Sequence, residues 1–483
     1  LVNKIDNFEA KSKRYVRRLI WLYFWLLLFE GALRKWVLPD LSNPLLLVRD
    51  PVLVAIYLLA IPAKVFPRNG WTLALIVIGF LSLTATVAQL WMYLPPERIG
   101  LIAGYGFRCN FFHLPLIFVM AKVLQPADVK RFGWWTLALV VPMTALLVVQ
   151  FQAAPDAFVN RTAGGEGEMM MSALGKVRTA GTFSFVTGII AYFALATGFL
   201  VWAVLRRTVY KNWLLALAGS ALVIGIAVSG SRSVVGACTV VVASLVVVLF
   251  LRPDAVNRFG QTLVVVVVLG FIVSRTPIFK EGFSVLSTRF TEAAEATEES
   301  IALGLVTRVL GDFGEAFYIL GTGKAPFLGY GLGIGTNVGA RLLGHSGFLL
   351  TEGEWARIFL EMGPVLGVIY AGLRFALVVW IGILCLRSVK LGNVLPLLLF
   401  SSSFMPMLSG QFGQPTILGF AVFTTGLALA AKNEEQLLTP AELQTARPRA
   451  VEVKNVVRGR SAYAARLHTS KSGTGPSNGS VDR

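Results

Sequence analysis

The sequence predicts an all-α fold: a polytopic integral membrane helical bundle of about 12 transmembrane helices, with a large extracytoplasmic loop between helices 9 and 10. Three observations predict it. Of 483 residues, 55% are hydrophobic and only 14% are charged, against about 25% charged in an ordinary soluble domain. The mean hydropathy is +0.69. Apolar runs recur at the length of about 20 residues that a helix needs to cross a hydrocarbon core of about 30 Å. Barrel-type alternation is not seen, so the spans read as helices. This composition excludes a soluble enzyme, a disordered chain and a disulfide scaffold. Cys109, Cys238 and Cys385 are far apart inside apolar runs, so neither a metal nor a catalytic role is expected of them.

The elements follow in order. Residues 1–18 form a basic N-terminus with Lys11, Lys13, Arg14, Arg17 and Arg18. It leads into a full-length apolar helix without a small-residue cleavage site, so no signal peptide is expected. Helices 1–9 fall within 19–276, at 19–38, 50–66, 71–92, 100–122, 132–154, 182–205, 211–229, 234–251 and 260–276. The loop spans 277–353. Ile301, Leu305, Val306, Val309, Leu310, Phe313, Phe317 and Leu320 recur there at helical spacing, which predicts an amphipathic helix resting on the bundle or on the membrane surface. Helices 10–12 are expected at 354–387, 391–408 and 414–431, and a polar, basic, disordered tail at 432–483.

The net charge of +18 would suggest nucleic acid in a soluble protein. Here it reads as topology, and no nucleic-acid partner is expected. With the N-terminus inside, the inner segments before the tail carry 18 Lys and Arg, against eight in the outer segments apart from the long loop. By the positive-inside rule both termini are cytoplasmic.

Ionisable groups inside spans are costly and usually have a task. Glu30 and Arg34, four apart, have ion-pair spacing; Lys35, Arg49, Asp50, Arg108, Arg232, Glu352, Glu354 and Arg357 also fall towards the outer ends, with Arg374 nearer mid-helix. The plainer reading of Glu30–Arg34 and Arg49–Asp50 is that they pin helices together. His113 reads as a satisfied buried histidine.

Three short motifs remain. Arg178-Thr-Ala-Gly-Thr-Phe183 precedes helix 6. Ser229-Gly-Ser-Arg232-Ser forms the outer turn between helices 7 and 8. Gly329, Gly331, Gly333 and Gly335 space a glycine run that ends at Thr336, followed by His345 and by a segment from Glu352 to Gly363-Pro-Val-Leu-Gly367. Such a run can bring backbone N–H groups to an anion. Arg178 and Arg232 suit bidentate phosphate contact.

In this order and topology, over roughly residues 170–430, the motifs resemble those of the O-antigen ligase and Wzy-type polysaccharide polymerase superfamily. The resemblance implies a metal-independent, cofactor-free glycosyltransferase of the GT-C type. It implies an undecaprenyl-pyrophosphate-linked oligosaccharide donor, attacked by an acceptor hydroxyl at the outer face, in exopolysaccharide or O-antigen synthesis. Membrane lipids and other polysaccharide assembly proteins are its implied partners. Arg178 and Arg232, with Arg341 or Arg357, would hold the pyrophosphate. The chain departs from the family at one place. Where a His-Asn pair is common, about eleven residues before the closing signature, it has Glu352, with Glu354 beside it; His345 is seven residues too early. The base is then Glu352, Glu354 or His345, with the glutamates favoured, and polymerase is preferred to ligase. A twelve-helix transporter and a non-catalytic export subunit are the competing expectations; the first predicts internal repeats and midplane polar groups.

Overall fold

The computed structural model describes residues 2–163, 170–206, 208–251, 271–297, 301–345 and 349–432, all within one compact unit that ends at Asn433. The expected tail, and most of the expected ninth span, lie outside the described residues. The described residues are helical, with one isolated bridge between Met171 and Val177 and no β-strand. The helices are α1 (Val2–Ala32), α2 (Arg49–Ala60), α3 (Gly70–Leu90), α4 (Pro96–Phe107), α5 (Leu116–Val123), α6 (Pro126–Gln152), α7 (Val186–Leu205) and α8 (Asn212–Val228). They continue with α9 (Arg232–Leu251), α10 (Pro277–Thr297), α11 (Ile301–Gly321), α12 (Asn337–Leu342), α13 (Glu354–Lys390), α14 (Leu395–Ser409) and α15 (Pro415–Ala431). Six helical stretches are long and apolar enough to cross a membrane: Pro39–Ala60, α3, α6, α7, α9 and α13. The apolar helices α8, α14 and α15 are shorter.

Near the centre runs α15. Every residue from Leu418 to Ala431 is buried, as expected of a helix that is apolar all round. Its small residues admit close neighbours. Gly419 faces the guanidinium of Arg49, and Gly426 faces Met120 of α5.

Two expected spans are not straight. The fourth is split into α4, a π-helical turn Arg108–Phe112, and α5 after Pro115, where proline supplies no N–H to continue the ladder. The tenth is folded on itself at Gly363, whose φ of 75° and ψ of 172° are non-helical. Glu354 and Arg374 are 20 residues apart and yet in contact at 2.7 Å. On a straight helix that separation would be about 30 Å. A Cβ on Gly367 would likewise touch Phe359. Residues 354–362 therefore form a half-helix lying back along the arm 364–390, a helical hairpin with its tip at Gly363-Pro364.

The amphipathic helix is present as α11, with a buried stripe different from the expected one. Side chains of 301–310 lie outside the description. Beyond them Ala316 and Ile319 are buried and Phe313 and Leu320 partly so, whereas Phe317 is 70% exposed. The stripe follows the packing of Phe313 on Trp355 of the half-helix, ring centroids 6.0 Å apart.

Candidate functional site

The hairpin carries four buried charges that neutralise one another. Arg357 donates from Nη2 to Glu354 Oε2 at 2.8 Å and from Nη1 to Glu361 Oε2 at 2.8 Å. Arg374, on the opposite arm, donates from Nη1 to Glu354 Oε1 at 2.7 Å. Its other nitrogens reach Met407 O at 2.7 Å, Gly410 O at 2.8 Å and Pro406 O at 3.2 Å. Those are the terminal carbonyls of α14, so Arg374 caps that helix from the side, where a cation is favoured. Both oxygens of Glu354 are engaged, and Phe412 N–H also donates to it at 3.3 Å. Arg357 Nη2 further donates to Asn110 Oδ1 at 3.4 Å, in the π turn that follows α4.

The glycine run crosses the hairpin tip. Gly329 and Gly363 both have φ of 75°, a region open to glycine and strained for other residues. A Cβ on either would collide with the other's backbone nitrogen. The amides of the run have partners inside the protein: Tyr330 N–H donates to Leu360 O at 2.7 Å, Gly331 to Glu361 O at 3.1 Å, and Leu332 to Thr86 Oγ1 at 2.8 Å. Gly335 N–H donates to the carboxylate Oε1 of Glu361 at 2.9 Å. An anion does sit on the run, and it is the chain's own.

Beside this crossing is a small open recess, lined by Gly335, Thr336, Asn337, Glu352, Arg357, Gln411, Gly413 and Gln414. It joins the end of the glycine run, the entry to the hairpin and the turn between α14 and α15. Gln411 Nε2 donates to Glu352 O at 2.5 Å, and Gln414 donates to the Gln411 side-chain oxygen. Of the three candidate bases, Glu352 is exposed on the recess, Glu354 is fully buried in the ion network, and His345 is exposed outside the lining.

The first two motifs are brought together elsewhere on the bundle. Thr179 Oγ1 donates to Val228 O at 3.1 Å, and Ser172 Oγ to Gly230 O at 3.0 Å. Arg178 and Arg232 are both half-buried on these abutting segments. Neither lines the recess. The Arg178 segment leads into α7, whose Thr187 Oγ1 donates to Gln414 Oε1 at 3.4 Å, at the edge of the recess. Arg341 is exposed and donates to Asn43 Oδ1 at 3.0 Å.

The charges at the ends of the first helices pin helices: the expected Glu30–Arg34 pair forms, and Arg49 pairs with Glu30 rather than with Asp50. Glu30 is 2.9 Å from Arg49 and 3.8 Å from Arg34. Asp50 holds Arg108 at 2.7 Å and His113 Nε2 at 3.0 Å, and His113 Nδ1 is hydrogen-bonded to Tyr23 Oη at 3.1 Å. His113 is thus a satisfied buried histidine. Thr336 closes the third motif, whereas sequence reasoning missed Asn337, Gln411 and Gln414, which belong to no motif; only their place in polar turns between apolar helices could have drawn notice. Among the described residues no group of three His, Cys, Asp or Glu side chains could hold a metal ion. In comparisons with known proteins, no family model and no curated sequence matches the chain.

Proposed function

We propose that this chain is an integral membrane glycosyltransferase that polymerises glycan units carried on undecaprenyl pyrophosphate, at the extracytoplasmic face of a bacterial inner membrane. The observation that carries the reading is the recess. It sets an exposed carboxylate, Glu352, and a guanidinium, Arg357, among four neutral hydrogen-bonding side chains, Thr336, Asn337, Gln411 and Gln414. Amides and hydroxyls beside a carboxylate suit a ligand rich in hydroxyl groups. In the proposed step an acceptor hydroxyl attacks the anomeric carbon, the bond from that carbon to the pyrophosphate oxygen breaks, and Glu352 takes the hydroxyl proton. The lipid pyrophosphate leaves with the electron pair; Arg178 and Arg232, which the resemblance assigns to its charge, lie outside the recess lining, so the pyrophosphate must extend from the recess along the start of α7 to reach them. Glu352 is preferred to Glu354 because both Glu354 oxygens already accept from arginines.

The same reading takes about twelve spans, both termini cytoplasmic and residues 277–353 outside, from the distribution of Lys and Arg. A ligase with a lipid or protein acceptor would use the same groups. The broken helix at Gly363 favours a second reading, a transporter, since such breaks line transport sites.

The test is release of undecaprenyl pyrophosphate from a lipid-linked oligosaccharide by the purified full chain in vesicles. Glu352→Gln should abolish release without changing the elution profile, and Arg178→Ala and Arg232→Ala should each cut it at least tenfold. Full turnover in Glu352→Gln overturns the base assignment. No release by the unaltered chain, together with oligosaccharide uptake, favours the transporter.

A further inference from the structure

We propose that two segments distant in sequence, Trp91–Tyr93 and Phe327–Tyr330, form one aromatic rim that contacts the headgroup layer of a phospholipid bilayer beside the glycine run. The register of two helices supports this. Near its start α3 carries Trp71, whose ring lies 5.6 Å from that of Trp380 on the long arm of the hairpin. At its other end, Leu90 lies against Gly331, and Gly331 N–H is bonded to Glu361 O, two residues before the hairpin tip. The helix and the arm therefore run side by side in opposite directions. Between these two fixes α3 rises about 28 Å, close to the hydrocarbon thickness of about 30 Å.

Over that length the outward side chains are apolar and exposed: Leu73, Ile76 and Phe80 on α3, Val365, Ile369 and Phe375 on the arm. Below it, exposed Lys64 and Arg68 precede α3. Above it, Trp91 is 64% exposed, Met92 87%, Tyr93 75% and Phe327 73%. The residues flanking the two segments meet: Leu90 lies against Gly331 and joins Ile334 in a small apolar cluster with Ile99 and Ile102. Lys324 completes the rim: its Nζ lies 4.7 Å over the Tyr318 ring, and its carbonyl accepts from Tyr330 Oη at 3.4 Å. An apolar face of bilayer thickness that ends in exposed Trp and Tyr with an adjacent ammonium fits the interfacial belt, where amphipathic rings meet phosphates. The inference does not depend on the transferase reading; it rests on α3 and the arm facing lipid.

The test uses the full chain in vesicles of phosphatidylcholine and phosphatidylglycerol, spin-labelled singly at Met92→Cys, Tyr330→Cys, Phe80→Cys or Leu174→Cys; the natural cysteines are buried. Oxygen and a water-soluble nickel chelate compete to relax each label. At 92 and 330, nickel accessibility should fall several-fold below that at 174 and rise several-fold above that at 80. Labels at 92 and 330 as wet as 174, as deep as 80, or shielded from both reagents as under a second copy, each overturn the rim and leave the membrane reading standing. A label at 80 that nickel reaches freely overturns both.

Discussion

Removing Arg374 tests the hairpin most directly. Its guanidinium is 1% exposed and Glu354 is 0% exposed. Arg374→Ala leaves Glu354 with Arg357 and one backbone amide, and strips the added donors from three terminal carbonyls of α14. Breaking a buried pair by deleting one partner costs about 3–5 kcal/mol, because a charge stays buried without full compensation. Arg357 keeps the cost near the low end, and the carbonyls that lose a donor push it upward by about 1 kcal/mol or more. A net loss of roughly 3–5 kcal/mol follows from both terms. The assay is denaturation of the detergent-solubilised chain in mixed micelles, in a cycle with Glu354→Gln and the double variant. The coupling between the two sites should be about 1–3 kcal/mol, since the neutral amide no longer needs the cation. A cost below about 1 kcal/mol, the value of an exposed pair, or strict additivity would refute a folded-back half-helix held by this pair.

Three further outcomes are expected. Phe359→Cys with Gly367→Cys should form a disulfide under mild oxidation, since a Cβ at 367 lies 3.2 Å from the Phe359 Cα; on a straight helix those residues are about 12 Å apart, and failure to cross-link, by mass spectrometry, would count against the hairpin. Gly419→Ala would put a Cβ 1.9 Å from Arg49 Nη1 and drive the guanidinium off Glu30, so stability should fall by about 1–3 kcal/mol; Gly236→Ala, with open space around it, is the neutral control in the same melt. Thr86→Val removes the acceptor of Leu332 N–H, and an unsatisfied buried amide costs about 1–3 kcal/mol, read as faster hydrogen exchange over the glycine run and a lower melting temperature.

Much of the bundle was legible because apolar runs bounded by Lys and Arg have few alternatives. The expected spans 71–92, 182–205 and 414–431 differ from α3, α7 and α15 by at most four residues at either end. The hairpin too has a signal in the sequence. A run from 354 to 387 is far longer than a bilayer needs, and Gly363-Pro364 interrupts it; length and breaker together mark a fold-back. Ion pairing was legible only as a set. Spacing within one helix finds Arg34 for Glu30, whereas the shorter contact is with Arg49 from α2, and no periodicity encodes which helix stands alongside. Glu352 was found as a departure from a motif. Gln411 and Gln414, which share its recess, were not found, because a five-residue polar turn between apolar helices has no pattern to recognise.

The Glu361 carboxylate on the glycine run has a consequence for what the run can hold. A ligand attached to the same chain competes at an effective concentration in the millimolar range or above, without loss of translational freedom. A phosphate arriving from solution at Gly335 would have to displace that resident anion and leave Arg357 to be shared between two negative groups. The crossing therefore behaves as a lock already filled by its own key. It disfavours a free phosphate at this point, which agrees with the neutral, hydroxyl-bearing ligand proposed above for the neighbouring recess. Under the transferase reading proposed above, the pyrophosphate is left to Arg178 and Arg232, outside the lining of the recess.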